Sequence, residues 1–316
     1  MSYRATLFAL GLTGVFASAA ACGKSPTNET AEAAKPASGQ EPVQPVPVTE
    51  LGGRLFDNWS AELGVEFVPD DPATPALDGK GGPFGNGTLP KSDGTPMANP
   101  GHNYRLKNLF GWDLRGGEGI YGASYLNKPQ VLLPDLLKNT ESRETWTERL
   151  TKGEDAIPAY GKVLDAAQID ALVTFLLDVR DGKLPQASDL FALTTKEQGN
   201  YALAAGGDIA RGHQVFAQTC ARCHGSDGTK GTIDEGDFSV GSFMRQEAYE
   251  TWLKVLNGHP GSAMRGQLEA TLTRAQKAAL LRDLHAAVCD RTRYPKGAST
   301  QPDVADGDPR CGAYLR

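Results

Sequence analysis

Residues 220–224 read Cys-Ala-Arg-Cys-His, and no other feature of the chain constrains its fold as tightly. The Cys-x-x-Cys-His arrangement is the covalent attachment pattern of c-type haem. On the last turn of a helix, Cys220 and Cys223 lie three apart and share one face. Two thiols there can form thioether bonds to the two vinyl groups of one porphyrin. His224, next along, brings an imidazole nitrogen beneath the iron as its proximal ligand. The competing readings are a thioredoxin-like redox pair and half of a zinc site. Neither accounts for the abutting His224, and the sequence has no second Cys-x-x-Cys to complete a zinc site.

The flanks of the motif carry a family pattern. Ala210 to Cys220 reads as a helix ending at the attachment site, with Asp208 as its N-cap. Gln246 to Asn257 reads as an amphipathic helix with Tyr249, Trp252, Leu253 and Leu256 on one side, stopped by Gly258 and Pro260. His259-Pro-Gly-Ser-Ala-Met264 follows, and then a capping box, Thr273 to Gln276, opens a last helix over Arg274 to Val288. This order resembles a class I cytochrome c. The resemblance implies that Phe216 packs against the last helix and that the first and last helices cross. It also implies that Met264, in a loop similar to the family's Pro-Gly-x-x-Met, is the sixth iron ligand. His259 as a bis-His partner, or an open sixth position, are the alternatives. Met244, before a predicted helix, is expected in packing. His213 and His285 are expected at the surface, and His102 has no assigned role.

Cysteine usage sets the compartment. Two of the five cysteines are taken by haem. Cys22 follows Arg4, an apolar stretch from Ala5 to Phe16, and Ala19 to Ala21. Residues 1–21 thus read as an export signal, too short for a transmembrane span. The small residues before Cys22 resemble a relaxed bacterial lipobox, which implies that Cys22 is lipidated. The alternative is an ordinary signal peptidase site that leaves a stray thiol. Cys289 and Cys311 remain, and in an oxidising compartment they most simply pair. Closing their loop stabilises the fold by about 3 kcal/mol in the chain-entropy model.

From residue 22 to 50 the composition turns to Pro, Ala, Glu, Thr and Gln, which cannot bury enough surface to order itself. It reads as a tether with its ends about 30 Å apart. The chain carries a formal net charge of −6. An acidic exported chain argues against nucleic acid as a partner. Lipidation at Cys22 would place it in the bacterial cell envelope, on the periplasmic side of a membrane.

The roughly 260 residues beyond the tether are enough for two domains, and residues 51–200 echo residues 201–316. Gly52 to Trp59 stands where the first helix stands. Trp146 to Leu150 matches Trp252 to Leu256, and the capping box Asp165 to Gln168 opens a helix with an apolar stripe at Ile169, Leu172, Val173 and Leu176. That register puts Leu106-Lys-Asn-Leu109-Phe110-Gly-Trp-Asp113 at the attachment site and Ile157-Pro-Ala-Tyr-Gly161 at the ligand loop. Here the chain resembles a group of two-domain bacterial cytochromes c. Their first domain carries Trp-Arg-Cys-Lys-Glu-Cys-His-Gly-Trp-Asp after a Gly-Gly-x-Leu-Tyr-Asp-x-Trp opening. Against that pattern, Leu106 and Leu109 replace both thioether cysteines, Phe110 replaces the histidine and Ile157 the methionine. The resemblance implies a cytochrome fold that has lost its haem. A cavity that size is costly, so those four side chains, with Trp112, Tyr121 and Tyr160, are expected to fill it; the alternative is a cleft that stays open and binds something else. The Gly- and Pro-rich stretch from Pro69 to Asn103 has little periodicity and names no ligand.

The sequence therefore leads to a mostly α protein of two cytochrome c-like helical domains with long Gly/Pro-rich loops. It is expected to carry one covalently bound haem c and to exchange electrons with a redox donor and acceptor, as a carrier rather than an enzyme. A cytochrome subunit of a periplasmic oxidoreductase, and a docking module built on the haem-less domain, are the other readings.

Overall fold

Two pairs of crossing helices organise the chain, and each crossing is made possible by a glycine. The computed structural model describes residues 46–65, 88–90, 96–98, 105–120, 133–154, 157, 159–193, 201–233 and 236–316. The export segment, Cys22, most of the tether, His102 and Tyr121 lie outside them. Helix α1 (Val48–Leu63) packs along α4 (Ala166–Arg180), and α5 (Ile209–Val215) packs along α9 (Arg274–Val288). A Cβ on Gly52 would lie 2.1 Å from the Ala171 carbonyl oxygen, and one on Gly212 would lie 2.0 Å from that of Asp283. Only glycine lets the two backbones approach so closely. Four residues on, and therefore on the same face, each first helix carries a phenylalanine. Phe56 packs 5.4 Å from Phe175, and Phe216 packs 4.5 Å from Tyr294, measured between ring centroids.

The remaining α-helices fall between the members of these crossing pairs. Short α2 (Leu106–Phe110) and α3 (Arg143–Lys152) fall between the crossing helices of the first half. In the second half α5 runs into α6 (Ala221–His224), followed by α7 (Val240–Gln246) and α8 (Ala248–Asn257). Capping boxes open α4 at Asp165 and Gln168, and α9 at Thr273 and Gln276. The Asp208 carboxylate accepts the Arg211 N–H at 3.0 Å to start α5. Strand is confined, among the described residues, to two small antiparallel pairs. These are β1 (Thr88–Pro90) with β2 (Pro96–Ala98), and β3 (Phe191–Leu193) with β4 (Tyr201–Leu203), the latter in the register Phe191 opposite Leu203. No helix among the described residues is long and apolar enough to cross a membrane. The fold is mostly α and cytochrome c-like.

Three local readings differ from the structure. The tether expected to reach residue 50 ends sooner: α1 starts at Val48, where the Pro47 carbonyl accepts the Leu51 N–H at 2.9 Å. Proline just before a helix costs no hydrogen bond, and Glu50 gains a partner in Arg265 at 3.0 Å. The helix expected from Gln246 is broken at Glu247 (φ −117°, ψ 41°), so Gln246 closes α7 and Met244 sits buried inside that helix. His285, expected at the surface, is 2% exposed. The C-terminal half of α9 is buried all round, and His285 bonds Thr251 Oγ1 at 3.0 Å and the Leu281 carbonyl at 2.8 Å. Burial pushes its imidazole down to about 4, so it stays neutral at pH 7.

Cys289 and Cys311 form a disulfide that ties the tail to the end of α9. Arg245, itself buried, holds the same tail. It donates to the carbonyls of Val288 and Tyr294 at 2.6 and 2.9 Å and pairs with Asp303. The two halves meet in the compact unit Pro45–Arg316. Gly53, the neighbour of Gly52, faces α8, where a Cβ would lie 2.3 Å from the Asn257 side chain. Asp57 of α1 sits between Lys107 of α2 (2.6 Å) and Lys254 of α8 (3.1 Å). Lys107 also lies 4.3 Å over the Trp112 ring.

Burial alone would raise the Asp57 carboxyl, but the two ammonium groups outweigh it and hold the carboxyl well below the usual carboxylate range. A depressed folded value stabilises the fold above the unfolded value of about 3.9. That contribution is lost as pH falls from there through the folded value. Asp57→Asn, which leaves two buried cations short of their counter-ion, should cost about 3–5 kcal/mol near neutral pH. Urea melts at pH 7 and below pH 4 check it: the gap between variant and parent should close in acid.

Candidate functional site

The Cys-x-x-Cys-His motif lies where α5 ends. The helix does not run there regularly: residues Phe216–Cys220 form a π-helical turn, and the short α6 carries on from it to His224. Turns of this kind recur at functional sites. Thr219 Oγ1 donates to the Val215 carbonyl at 2.7 Å and lies 3.3 Å from Cys220 Sγ. Gly225 stops the helix with φ +82°, a left-handed conformation that suits glycine. The His224 carbonyl accepts the Lys230 N–H at 2.9 Å, which turns the chain back across the helix end.

Cys220 is buried and Cys223 exposed, and both are free thiols. His224 is half-buried. Burial pushes the Cys220 thiol up and the His224 imidazole down. The imidazole is thus biased to its neutral form, which has a lone pair for a metal. His213 is held on α5 by Tyr294, 3.0 Å from Nδ1 to the hydroxyl, and takes no part in the motif.

Met264 lies half-buried in the loop after α8. Gly258 (φ +87°) turns the chain out of the helix and bridges to Arg265 in antiparallel fashion. The His259 N–H donates to the Met264 carbonyl at 3.0 Å, and Ser262 Oγ accepts the Met264 N–H at 3.1 Å. His259 is exposed, with Nδ1 3.0 Å from the Pro260 carbonyl. The loop also leans on the first half of the chain through Glu50, Arg54 and Glu62 of α1. Nothing in the sequence pattern pointed to these three residues, because each meets the loop across some 200 positions of chain.

Whether the second half suits a haem can be judged on its donors and on one orphaned group. Two free thiols, a neutral imidazole and a thioether are the donor set of haem c. Among the described residues no group of three or more His, Cys, Asp or Glu is placed to hold a metal ion. The indole N–H of Trp252 on α8 is fully buried with no hydrogen-bond partner among the described residues. Trp146, which the sequence register sets against it, donates to Asn139 Oδ1 at 3.0 Å. A buried donor without an acceptor is costly, and a bound group bearing carboxylates, as haem does, can supply one. The residues fit haem c.

The four first-half positions that the sequence register sets against the motif and the loop are buried hydrocarbon. Leu106, Leu109, Phe110 and Ile157 are 0, 1, 1 and 6% exposed and belong to the main core. Phe110 lies 5.8 Å from Trp146 and 6.4 Å from Phe56. Trp112 and Tyr160 are buried beside them in the same core.

Comparison with known proteins agrees for the second half. Residues 207–282 match the family described as cytochrome C oxidase, cbb3-type, subunit III. No curated protein matches the chain. The matched segment contains Cys220, Cys223, His224 and Met264. A cytochrome c domain implies covalently bound haem c and supports a role in electron transfer. Cys220→Ser combined with Cys223→Ser should abolish covalent attachment. Haem staining after denaturing electrophoresis checks this, the variant band staining for protein only.

Proposed function

We propose that this chain is an exported, lipid-anchored, mono-haem cytochrome c that carries electrons between a redox donor and acceptor. Cys220 and Cys223 attach the haem, and His224 and Met264 are its axial ligands. When bound, haem supplies one-electron exchange between Fe(II) and Fe(III). The chain fixes the proximal imidazole at a helix end and holds the thioether on a hydrogen-bonded loop. Phe216, Leu253 and Leu256 are buried in the core of the same half. A iron with both axial positions filled offers no place for a substrate, and this favours a carrier over an enzyme. Lipidation at Cys22, followed by the tether, would let the folded body range over a membrane surface on the periplasmic side.

The observation that carries the single haem is the burial of Leu106, Leu109, Phe110 and Ile157. Random decay of a second site would put polar groups at some of these positions, at a cost for each. Four buried hydrocarbon side chains instead support a cytochrome-like first half whose haem space has been repacked. The description of the matched family favours a second reading, in which the carrier works as a subunit that feeds an oxidase. Co-purification with a terminal oxidase from membranes would distinguish it.

Mass spectrometry of protein matured in a periplasm should give one haem per chain, resistant to acid acetone. Met264→Ala should remove the weak far-red sulfur-to-iron band, lower the potential and let carbon monoxide bind the reduced form. If His259→Ala produces these changes and Met264→Ala does not, the sixth ligand is His259. Phe110→Ala should destabilise the first half by about 3–5 kcal/mol and leave the haem spectrum unchanged. A thermally silent variant, with tight uptake of an apolar dye by the parent, would make the first half a ligand-binding domain.

A further inference from the structure

The loop that carries Met264 belongs to the second half of the chain, but much of its support comes from the first. Arg54 on α1 is 5% exposed, deep for a guanidinium. Its three nitrogens serve three different acceptors. Nε pairs with Glu62 Oε2 at 2.7 Å, Nη1 donates to the Met264 carbonyl at 3.2 Å, and Nη2 donates to the Ser262 carbonyl at 3.3 Å. Glu62 Oε2 also accepts the Gly261 N–H at 3.1 Å. The pair Arg54 and Glu62 therefore grips Gly261, Ser262 and Met264 together.

The loop is held along the length of α1. At one end Arg265 pairs with Glu50 at 3.0 Å. At the other, Gly261 (φ +66°) presses on the helix so closely that a Cβ would lie 2.5 Å from the Ala61 carbonyl oxygen. Between these ends the Met264 carbonyl takes two donors, the His259 N–H at 3.0 Å and Arg54. The helix is shaped for this task. It breaks at Asn58 (φ −157°, ψ 89°), whose side-chain oxygen accepts Ser60 Oγ at 2.9 Å and the Ala61 N–H at 3.3 Å and restarts the turn that bears Glu62.

A loop that can swing away gives its thioether freedom to leave the iron, and a pinned loop does not. Three bonds from one planar guanidinium act as a fork, which an ammonium cannot reproduce. We propose that Arg54, supported by Glu62, is the positioning residue that holds the Met264 loop in its ligating conformation, so that α1 of the haem-less half controls the sixth ligand of the haem-bearing half. This rests on Met264 as that ligand. Bonds from a charged donor to two loop carbonyls are strong enough that their loss should favour the open loop by about tenfold or more.

The test uses full-length, haem-loaded protein. In Arg54→Met, and in Arg54→Lys, which keeps the charge but not the fork, the far-red sulfur-to-iron band should weaken. Carbon monoxide should bind the reduced form about tenfold faster than in the parent. Retained charge in Arg54→Lys separates loop release from a plain electrostatic shift of potential. Thermal melts report whether each variant is folded; should Arg54→Met fail to fold, Arg54→Lys and Glu62→Gln carry the test. Suppose Met264→Ala abolishes the band, while folded Arg54 variants keep the parent's band and carbon monoxide rate. The ligand then stands and the positioning role of Arg54 is overturned. If Met264→Ala leaves the band intact, the ligand assignment fails, and the proposal with it.

Discussion

Helix α1 lies against α4 and α8 at once because Gly52 and Gly53 carry no side chains. A Cβ on the first would collide with the backbone of α4, and one on the second with Asn257 of α8. Adjacent residues on a helix point about 100° apart, so two successive glycines open two neighbouring faces of one helix. The first face closes the helix crossing of the N-terminal half. The second brings that half against the helix that leads into the Met264 loop. The contacts between the halves described above, polar and apolar, depend on this placement.

Two of the polar contacts between the halves involve buried charges. Asp57 joins Lys107 to Lys254, and Arg54 joins Glu62 to the carbonyls of the loop. Removing such groups from water costs several kcal/mol for each, and their mutual attraction offsets this only when partners are well placed and remaining valences are met. Asp57 accepts from both lysines, and Arg54 uses all three nitrogens. A shifted helix would strand them, so the charges select one relative placement of the halves more than they add stability.

The two halves differ in the side chains that the sequence register sets against each other. In the first, Phe110 and Ile157 stand in the core with Leu106 and Leu109, and the indole of Trp146 has its acceptor in Asn139. In the second, two thiols and an imidazole stand at the helix end, and the indole of Trp252 lacks a partner among the described residues. A buried indole N–H without an acceptor is costly, and a bound group can supply one.

Much of this was legible in the sequence because it is local. The capping boxes at Asp165 and Thr273, the cap at Asp208 and the attachment motif each involve residues within four positions of one another. Their geometry is fixed by the helix repeat. The pairing of Cys289 with Cys311 followed from the count of cysteines. The start of α1 at Val48 has no local signal, since Glu50 there finds its partner in distant Arg265; nothing in the structure explains the break at Glu247. His285 was misplaced because a helix stripe shows which residues favour the core. It does not show that Thr251 of another helix will accept an imidazole there. The sequence alone thus determined the attachment motif, the disulfide pairing and the caps that open α4, α5 and α9. The tertiary structure alone decided that Arg54 and Glu62 of one half hold the Met264 loop of the other. Their separation along the chain leaves no periodic trace, and only the close packing permitted by Gly52 and Gly53 brings them together.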